Sequence, residues 1–255
     1  MTTIRELFEA LCRMAPLDLQ MDFDNSGFLL GHADVAVKKC LLALDVTDAV
    51  VEEAIRENAE LIVSHHPLIF HPLRSVTDES PEGRRVLKLI EHRIAVVSMH
   101  TNLDIARGGV NDILMDALGI KTENCLDESG LGRFGELDAK LSLQAFLPRC
   151  KSVLSCNGLR YVDTGRPVYR VAVMGGAGAD CLERAAELGC DTYVTADIKY
   201  HQFQRAMDLG INLIDADHFS TENPVIPYLA ESLAASFPET DFLVSAVHEA
   251  LIRFA

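Results

Sequence analysis

Cysteines spaced for metal or redox work are missing from this 255-residue chain: the seven present include no Cys-x-x-Cys pair and are odd in number. That argues against a structural zinc ribbon and a disulfide framework. Cys12, Cys40, Cys125, Cys150, Cys156, Cys181 and Cys190 read instead as reduced core or surface thiols of a cytoplasmic protein. Long apolar runs are missing too. None approaches the roughly 20 residues needed to span a bilayer, so no membrane association is expected. The opening Met1-Thr2-Thr3-Ile4-Arg5-Glu6-Leu7-Phe8-Glu9 is a helix pattern with acids inside it; it lacks the basic start of a secretory signal, and none is expected. Positive charge is scarce, with 23 basic against 38 acidic residues for a net −15. Broad binding to nucleic acid needs a basic surface, so the charge argues against that class while leaving room for a local metal-rich pocket.

The chain is long enough, and at 49% hydrophobic apolar enough, to bury a full core as one large domain or two lobes. Strand and helix patterns alternate, which implies an α/β fold with helices packed on mixed sheets. Cys40 to Asp45, Leu61 to Ser64, Ile94 to Ser98, Tyr169 to Met174, Thr192 to Thr195 and Ile211 to Asp215 read as strands, and Phe242 to Val247 as a final one. Asp48 to Asn58 is an amphipathic helix, with Val51, Ala54 and Ile55 opposite Glu52, Glu53, Arg56 and Glu57. Residues 121–150, broken by Gly130, Gly132 and Gly135, read as irregular and as a lobe boundary. Ala54 to Val63 and Ala185 to Val194 share a pattern of helix end, short turn and β-branched strand. The shared pattern suggests two related lobes whose strand tips face a common cleft.

Those tips carry the chemistry. His65-His66 follows the apolar Leu61-Ile62-Val63 and precedes Pro67, where open α/β sheets place their ligands. Side chains alternate along a regular strand, so the two imidazoles bind one metal only if the backbone turns; otherwise each binds its own ion. His218 and Glu222 are four apart at an expected helix entrance, with Ser220 or Thr221 as cap and Pro224 in the first turn. Glu222 is the candidate carboxylate to bridge two ions roughly 3.5–4 Å apart, and Asp104 lies in an expected loop after a strand. His65, His66, Asp104, His218 and Glu222 thus form a candidate ligand set for two divalent ions per chain, with zinc, iron, manganese and nickel all suited to it. His100, four residues before Asp104, is the candidate proton carrier, with Asp217 the alternative. Gly175-Gly176-Ala177-Gly178 has Cys181 where a dinucleotide fingerprint needs its third glycine, and reads as a tight β–α turn. Asp197, Lys199, Tyr200 and His201 either line a pocket or face solvent, and His32, His71, His92 and His248 receive no role.

Taken together, Asp24-Asn25-Ser26-Gly27, Leu44-Asp45, Ser64-His65-His66-Pro67-Leu68, His100-Thr101-Asn102-Leu103-Asp104, Gly108-Gly109-Val110-Asn111-Asp112, Thr195-Ala196-Asp197-Ile198-Lys199-Tyr200-His201 and His218-Phe219-Ser220-Thr221-Glu222 resemble the Nif-three-like family of dinuclear-metal-centre hexameric proteins, often labelled GTP cyclohydrolase I type two. The resemblance spans nearly the whole chain. It implies the same five metal ligands, His100 near the site, and two interlinked lobes with the metal site in the cleft between them. It also implies a homo-hexamer, most simply a trimer of dimers, around an interior cavity. The first lobe is expected over residues 1–122, with 218–255 returning to it, and the second over 123–217. The implied activity is metal-dependent hydrolysis of a small nucleotide-like, heterocyclic or phosphorylated metabolite; the alternative is a non-catalytic protein for metal handling or assembly. Ala196 and Asp217 stand where the family usually has glycine, and Asp217 is expected to add a carboxylate beside the site.

Overall fold

The computed structural model describes residues 1–254, and its contacts divide the chain into two compact units. Among the described residues, unit 1 comprises Met1–Ala106 and Ile226–Glu249, and unit 2 comprises Arg107–Val225 and residues 250–254. The sequence reading places the passages between lobes at 122/123 and 217/218.

The first part of unit 1 runs α1 (Ile4–Met14), β1 (Gly27–Leu30), β2 (Lys39–Ala43), α2 (Asp48–Glu57), β3 (Leu61–Ser64), α3 (Pro81–Glu91), β4 (Ala95–Ser98) and the single turn α4 (Thr101–Ile105). Unit 2 contains α5 (Val110–Leu118), β5 (Lys121–Cys125), β6 (Arg133–Leu141), α6 (Leu143–Val153), β7 (Arg160–Val162), β8 (Val168–Val173), α7 (Leu182–Glu187), β9 (Thr192–Thr195), α8 (Tyr200–Leu209), β10 (Asn212–Asp215) and the single turn α9 (His218–Glu222). The chain then returns through α10 (Val225–Ser236) to β11 (Asp241–Val244).

Each unit is built on a mixed sheet. In unit 1 the order is β1-β4-β3-β2-β11, with β1 antiparallel on β4 and all other pairs parallel. In unit 2 the order is β5-β6-β8-β9-β10-β7, with β8, β9 and β10 parallel and the outer strands antiparallel. The central strands are short apolar runs buried on both faces, as parallel strands covered by helices must be. One core in unit 1 joins Leu41, Ile62 and Val96 to Val50, Val51 and Ala54 of α2 and Val86 and Leu89 of α3. Parallel strands all end at the same edge of a sheet. In unit 1 that edge presents Leu44-Asp45, His65-His66 and Met99-His100; in unit 2 it presents Met174 to Gly176, Ala196-Asp197 and Ala216 to His218.

Residues 121–150 differ from their expected irregularity. They form β5 and β6, joined by a turn through Gly130 and Gly132, followed by α6, all inside unit 2. The glycines that suggested a break are turn and close-approach positions: a Cβ on Gly135 of β6 would strike the backbone of Lys121 in the paired strand. Arg133 opens β6 with its side chain fully buried. Its Nε donates to Asp112 Oδ1 at 2.5 Å and its Nη1 to the carbonyls of Gly130 and Gly132 at 2.8 Å each. Removing this fully buried side chain leaves the Gly130 and Gly132 carbonyls without their donor, while Asp112 keeps Gly108 N–H, so Arg133→Ala should cost about 2–4 kcal/mol. Urea unfolding that shows less than about 1 kcal/mol would refute this.

All seven cysteines are free thiols, and Cys40, Cys150, Cys156 and Cys190 are buried. Burial pushes the Cys150 and Cys190 thiols up to about 12, so they stay protonated at neutral pH. Among the described residues no helix is long and apolar enough to cross a membrane.

Candidate metal centre

In unit 1, β3 ends at Ser64, but its pairing with β2 continues one step further. His65 N–H donates to Ala43 O at 3.3 Å and His66 N–H to Leu44 O at 2.9 Å. Ser64 Oγ then closes a turn on the carbonyl of His66 at 2.8 Å. The alternation of a regular strand therefore lapses, and the two imidazoles converge with centroids 5.0 Å apart instead of parting to opposite faces. The His100 ring joins them at 5.2 Å from His65 and 5.5 Å from His66. One ring nitrogen from each of the three lies within 4.8 Å of the others. Asp104 is buried in the turn α4 rather than in a loop, and its Oδ1 stands 3.6 Å from His65 Nε2.

Every one of these rings is held by Nδ1. His65 Nδ1 lies 2.8 Å from the carbonyl of Met99, His66 Nδ1 2.7 Å from Asp45 Oδ1, and His100 Nδ1 2.8 Å from Asp24 Oδ1. In unit 2, His218 Nδ1 lies 2.7 Å from Asp197 Oδ2. A carbonyl or carboxylate oxygen only accepts, so Nδ1 carries the proton and the lone pair of the neutral ring is on Nε2. This is the arrangement in which outer partners orient imidazoles toward a metal. His65 Nε2 faces Asp104, and His218 Nε2 faces Glu222 Oε2 at 3.1 Å. An imidazole lone pair and a carboxylate oxygen turned toward each other repel unless they share a cation or a proton. The donor set, neutral imidazole with carboxylate, is of the kind that suits a divalent transition-metal ion.

Asp24 is completely buried at its side chain. Burial alone would push its carboxyl up, but hydrogen bonds from His100 and Thr101 and the attraction of His100 outweigh it and hold it well below the usual carboxylate range.

In unit 2, β10 leads straight into α9. The cap is Asp217 rather than Ser220 or Thr221, with its Oδ2 accepting from Ser220 N–H at 3.1 Å and Ser220 Oγ at 3.0 Å. The Asp217 backbone has φ 66°, a conformation that favours glycine, which accounts for the glycine expected there; here the side chain offsets the strain by capping. Its buried carboxylate is tied to Ser220 as a helix cap. Pro224 falls between α9 and α10.

The glycine-rich turn is likewise a packing device. Its amides are taken internally: Gly175 N–H by Asn111 Oδ1 at 2.9 Å, Gly176 N–H by Thr221 Oγ1 at 3.0 Å, and Gly178 N–H by Thr195 Oγ1 at 3.0 Å. A Cβ on Gly176 would lie 3.0 Å from His218 Nε2 and strike Glu222 Oε1, so glycine is what lets the backbone pass against both donors. Lys199, Tyr200 and His201 open α8 as exposed residues.

Unit 1 thus assembles His65, His66, His100 and Asp104, and unit 2 pairs His218 with Glu222. Sequence reasoning did not assign the orienting role to Asp24, Asp45 and Asp197. The available signal was an aspartate at a strand tip beside each histidine-bearing strand.

A sequence profile described as Duf34/NIF3 (NGG1p interacting factor 3) matches residues 2–250. A Clostridium perfringens protein named "GTP cyclohydrolase 1 type 2 homolog" is 33% identical over 250 residues, with 95% of each chain covered. A Helicobacter pylori protein named "GTP cyclohydrolase 1 type 2" is 34% identical over 233 residues, covering 91% of this chain and 92% of that one. Among solved structures, the Staphylococcus aureus hypothetical protein SA1388 superposes with a TM-score of 0.93 at 30% identity, with 99% of each chain covered.

Proposed function

The chain belongs to the Duf34/NIF3 family, and from that premise and the donor set of each unit we propose that it is a dinuclear metal protein hydrolysing a small nucleotide-like, heterocyclic or phosphorylated metabolite. The observation that carries this reading is the tethering of His65, His66 and His218 through Nδ1, which leaves each Nε2 available to a metal. His65, His66, Asp104, His218 and Glu222 are the proposed ligands, with Glu222 the proposed bridge. Bound there, two divalent ions of the zinc, iron, manganese or nickel type would supply Lewis acidity and activate water.

The remaining work falls to the protein's own groups. Asp45 and Asp197 hold the rings of His66 and His218 in register. Asp24 stays ionised and holds the Nδ1 proton of His100, which leaves His100 Nε2 to accept a proton from an attacking group and return it to a leaving group. The name of the relatives supports a nucleotide-like substrate. The family resemblance supports a cytoplasmic homo-hexamer, a trimer of dimers.

One preparation tests both proposals. Metal analysis should find about two transition-metal ions per chain after growth with metal supplied, and chelation should abolish turnover in an unbiased metabolite screen. Light scattering on the same sample should give the mass of six chains. Full turnover by chelated, metal-free protein would overturn the hydrolase reading, and a stable monomer would overturn the assembly.

A further inference from the structure

The segment after the histidine pair leaves two large apolar residues exposed, Phe70 and Val76, and of these Phe70 stands beside the histidine cluster. Residues 65–80 join β3 to α3 without regular structure, a long connection for a compact unit. Leu68, Ile69 and Leu73 turn inward onto the core of unit 1. Phe70, between them, does not: it is 37% exposed and followed by exposed His71. Its position is nevertheless fixed on both sides. Ile69 O accepts from Asn25 Nδ2 at 2.5 Å, which ties this segment to the one that carries Asp24. The Phe70 ring stands edge-on to His100, with centroids 6.0 Å apart and an interplanar angle of 84°. His71 packs on Phe70 at 4.8 Å and 70°.

His65, His66, His100, Phe70 and His71 therefore form a continuous run of rings, buried at the His65 end and open at the Phe70–His71 end. Leaving part of a fixed aromatic ring in water forgoes part of the gain of burying it. Neither Phe70 nor His71 is needed as a ligand or an orienting group, and Leu68, Ile69 and Leu73 already anchor the loop.

We propose that Phe70, with His71 beside it, is the stacking platform that selects a planar heteroaromatic ring in the substrate and sets it next to His100. An aromatic face is the natural partner for such a ring. Stacking of this kind is worth about 1–3 kcal/mol, which converts to roughly 5- to 150-fold in affinity. The platform rests on the proposed function for the chemistry after binding, but not for binding itself. Phe23, 63% exposed and adjacent to Asp24, is on the segment to which the platform is tied and offers a second apolar surface.

The probe is 2-aminopurine riboside, whose fluorescence is quenched on stacking, titrated into the full chain in metal-loaded and chelator-stripped forms. Wild type should quench the probe saturably in both forms. Phe70→Ala and Phe70→Leu should each weaken binding at least about fivefold, the leucine because it keeps apolar bulk but loses the π face, while Phe70→Trp restores it. Metal content and assembly mass should be those of wild type in all three. Unchanged affinity in the alanine and leucine variants, or no saturable quenching by wild type up to about 1 mM, would overturn the platform. Loss of assembly in Phe70→Ala would assign the residue to a contact between chains and overturn it equally. If stacking persists in wild-type protein that takes up no metal, the metal proposal fails and the platform stands.

Discussion

Replacing Glu222 by Ala should strip the protein of most of both metal ions at once, whereas replacing a histidine on one side of a dinuclear centre should first weaken the ion it holds. The expectation comes from the bridging role proposed for this carboxylate, because a bridge contributes charge to both ions and relieves their repulsion. Glu222 suits that role physically. It is buried, it lies in a single helical turn fixed by the Asp217 cap, and its Oε2 meets the Nε2 of His218 at 3.1 Å. Gly176 leaves the space its head group needs. Metal analysis of Glu222→Ala and Glu222→Gln, with thermal unfolding to confirm folding, checks the result. Glutamine keeps the volume and loses the charge, so the two variants should behave alike. Retention of two ions per chain in either folded variant would sink the bridge.

Loss of His100 should have the opposite signature. His100→Ala should keep its metal and lower turnover of a true substrate by roughly 10²–10⁴-fold, the usual effect of removing a general acid or base. His66→Ala should lose metal and turnover together. The distinction comes from the surroundings of the two rings: His66 is oriented by Asp45, whereas His100 is oriented by a completely buried Asp24 that also binds Thr101 N–H at 3.0 Å. Metal content and turnover measured side by side decide the matter. Equal metal loss in both variants would make His100 a ligand and not a proton carrier.

Asp24 offers a pH test of the same pair. Its carboxyl is held below the usual range in the folded protein, so its stabilising effect is present above the unfolded value of about 3.9 and fades as pH falls toward the folded value. Asp24→Asn should therefore be less stable than wild type at pH 7, and the gap should narrow in acid. Urea unfolding at pH 7 and near pH 3 would show a constant gap if hydrogen-bond geometry, and not charge, were responsible.

Much of this was legible along the chain because the signals are local. Short apolar β-branched runs at 61–64, 95–98, 192–195 and 212–215 are strands in the structure, and the amphipathic 48–57 is a helix. The mixed α/β architecture is the consequence of that alternation. Less legible were the antiparallel strands β5, β6 and β7. Their half-exposed, charged sequences, such as Lys121-Thr122-Glu123-Asn124-Cys125, lack the continuous apolar run that marks a strand buried on both faces. The capping role of Asp217 was also not legible. It depends on a positive φ and on a helix that starts at the next residue, which residue type alone does not reveal.

The sequence by itself determined the alternating elements, the cluster of histidines and acids at strand ends, and the family to which they belong, since all of these are patterns of residue type and spacing. Only the tertiary structure decided which nitrogen each histidine presents, because Met99, Asp24, Asp45 and Asp197 reach their rings from other strands and loops. It also decided that His65 and His66 converge. Two neighbours in a strand point apart by default, and these two do not because the strand ends one residue earlier, at Ser64, whose hydroxyl bends the backbone onto the carbonyl of His66.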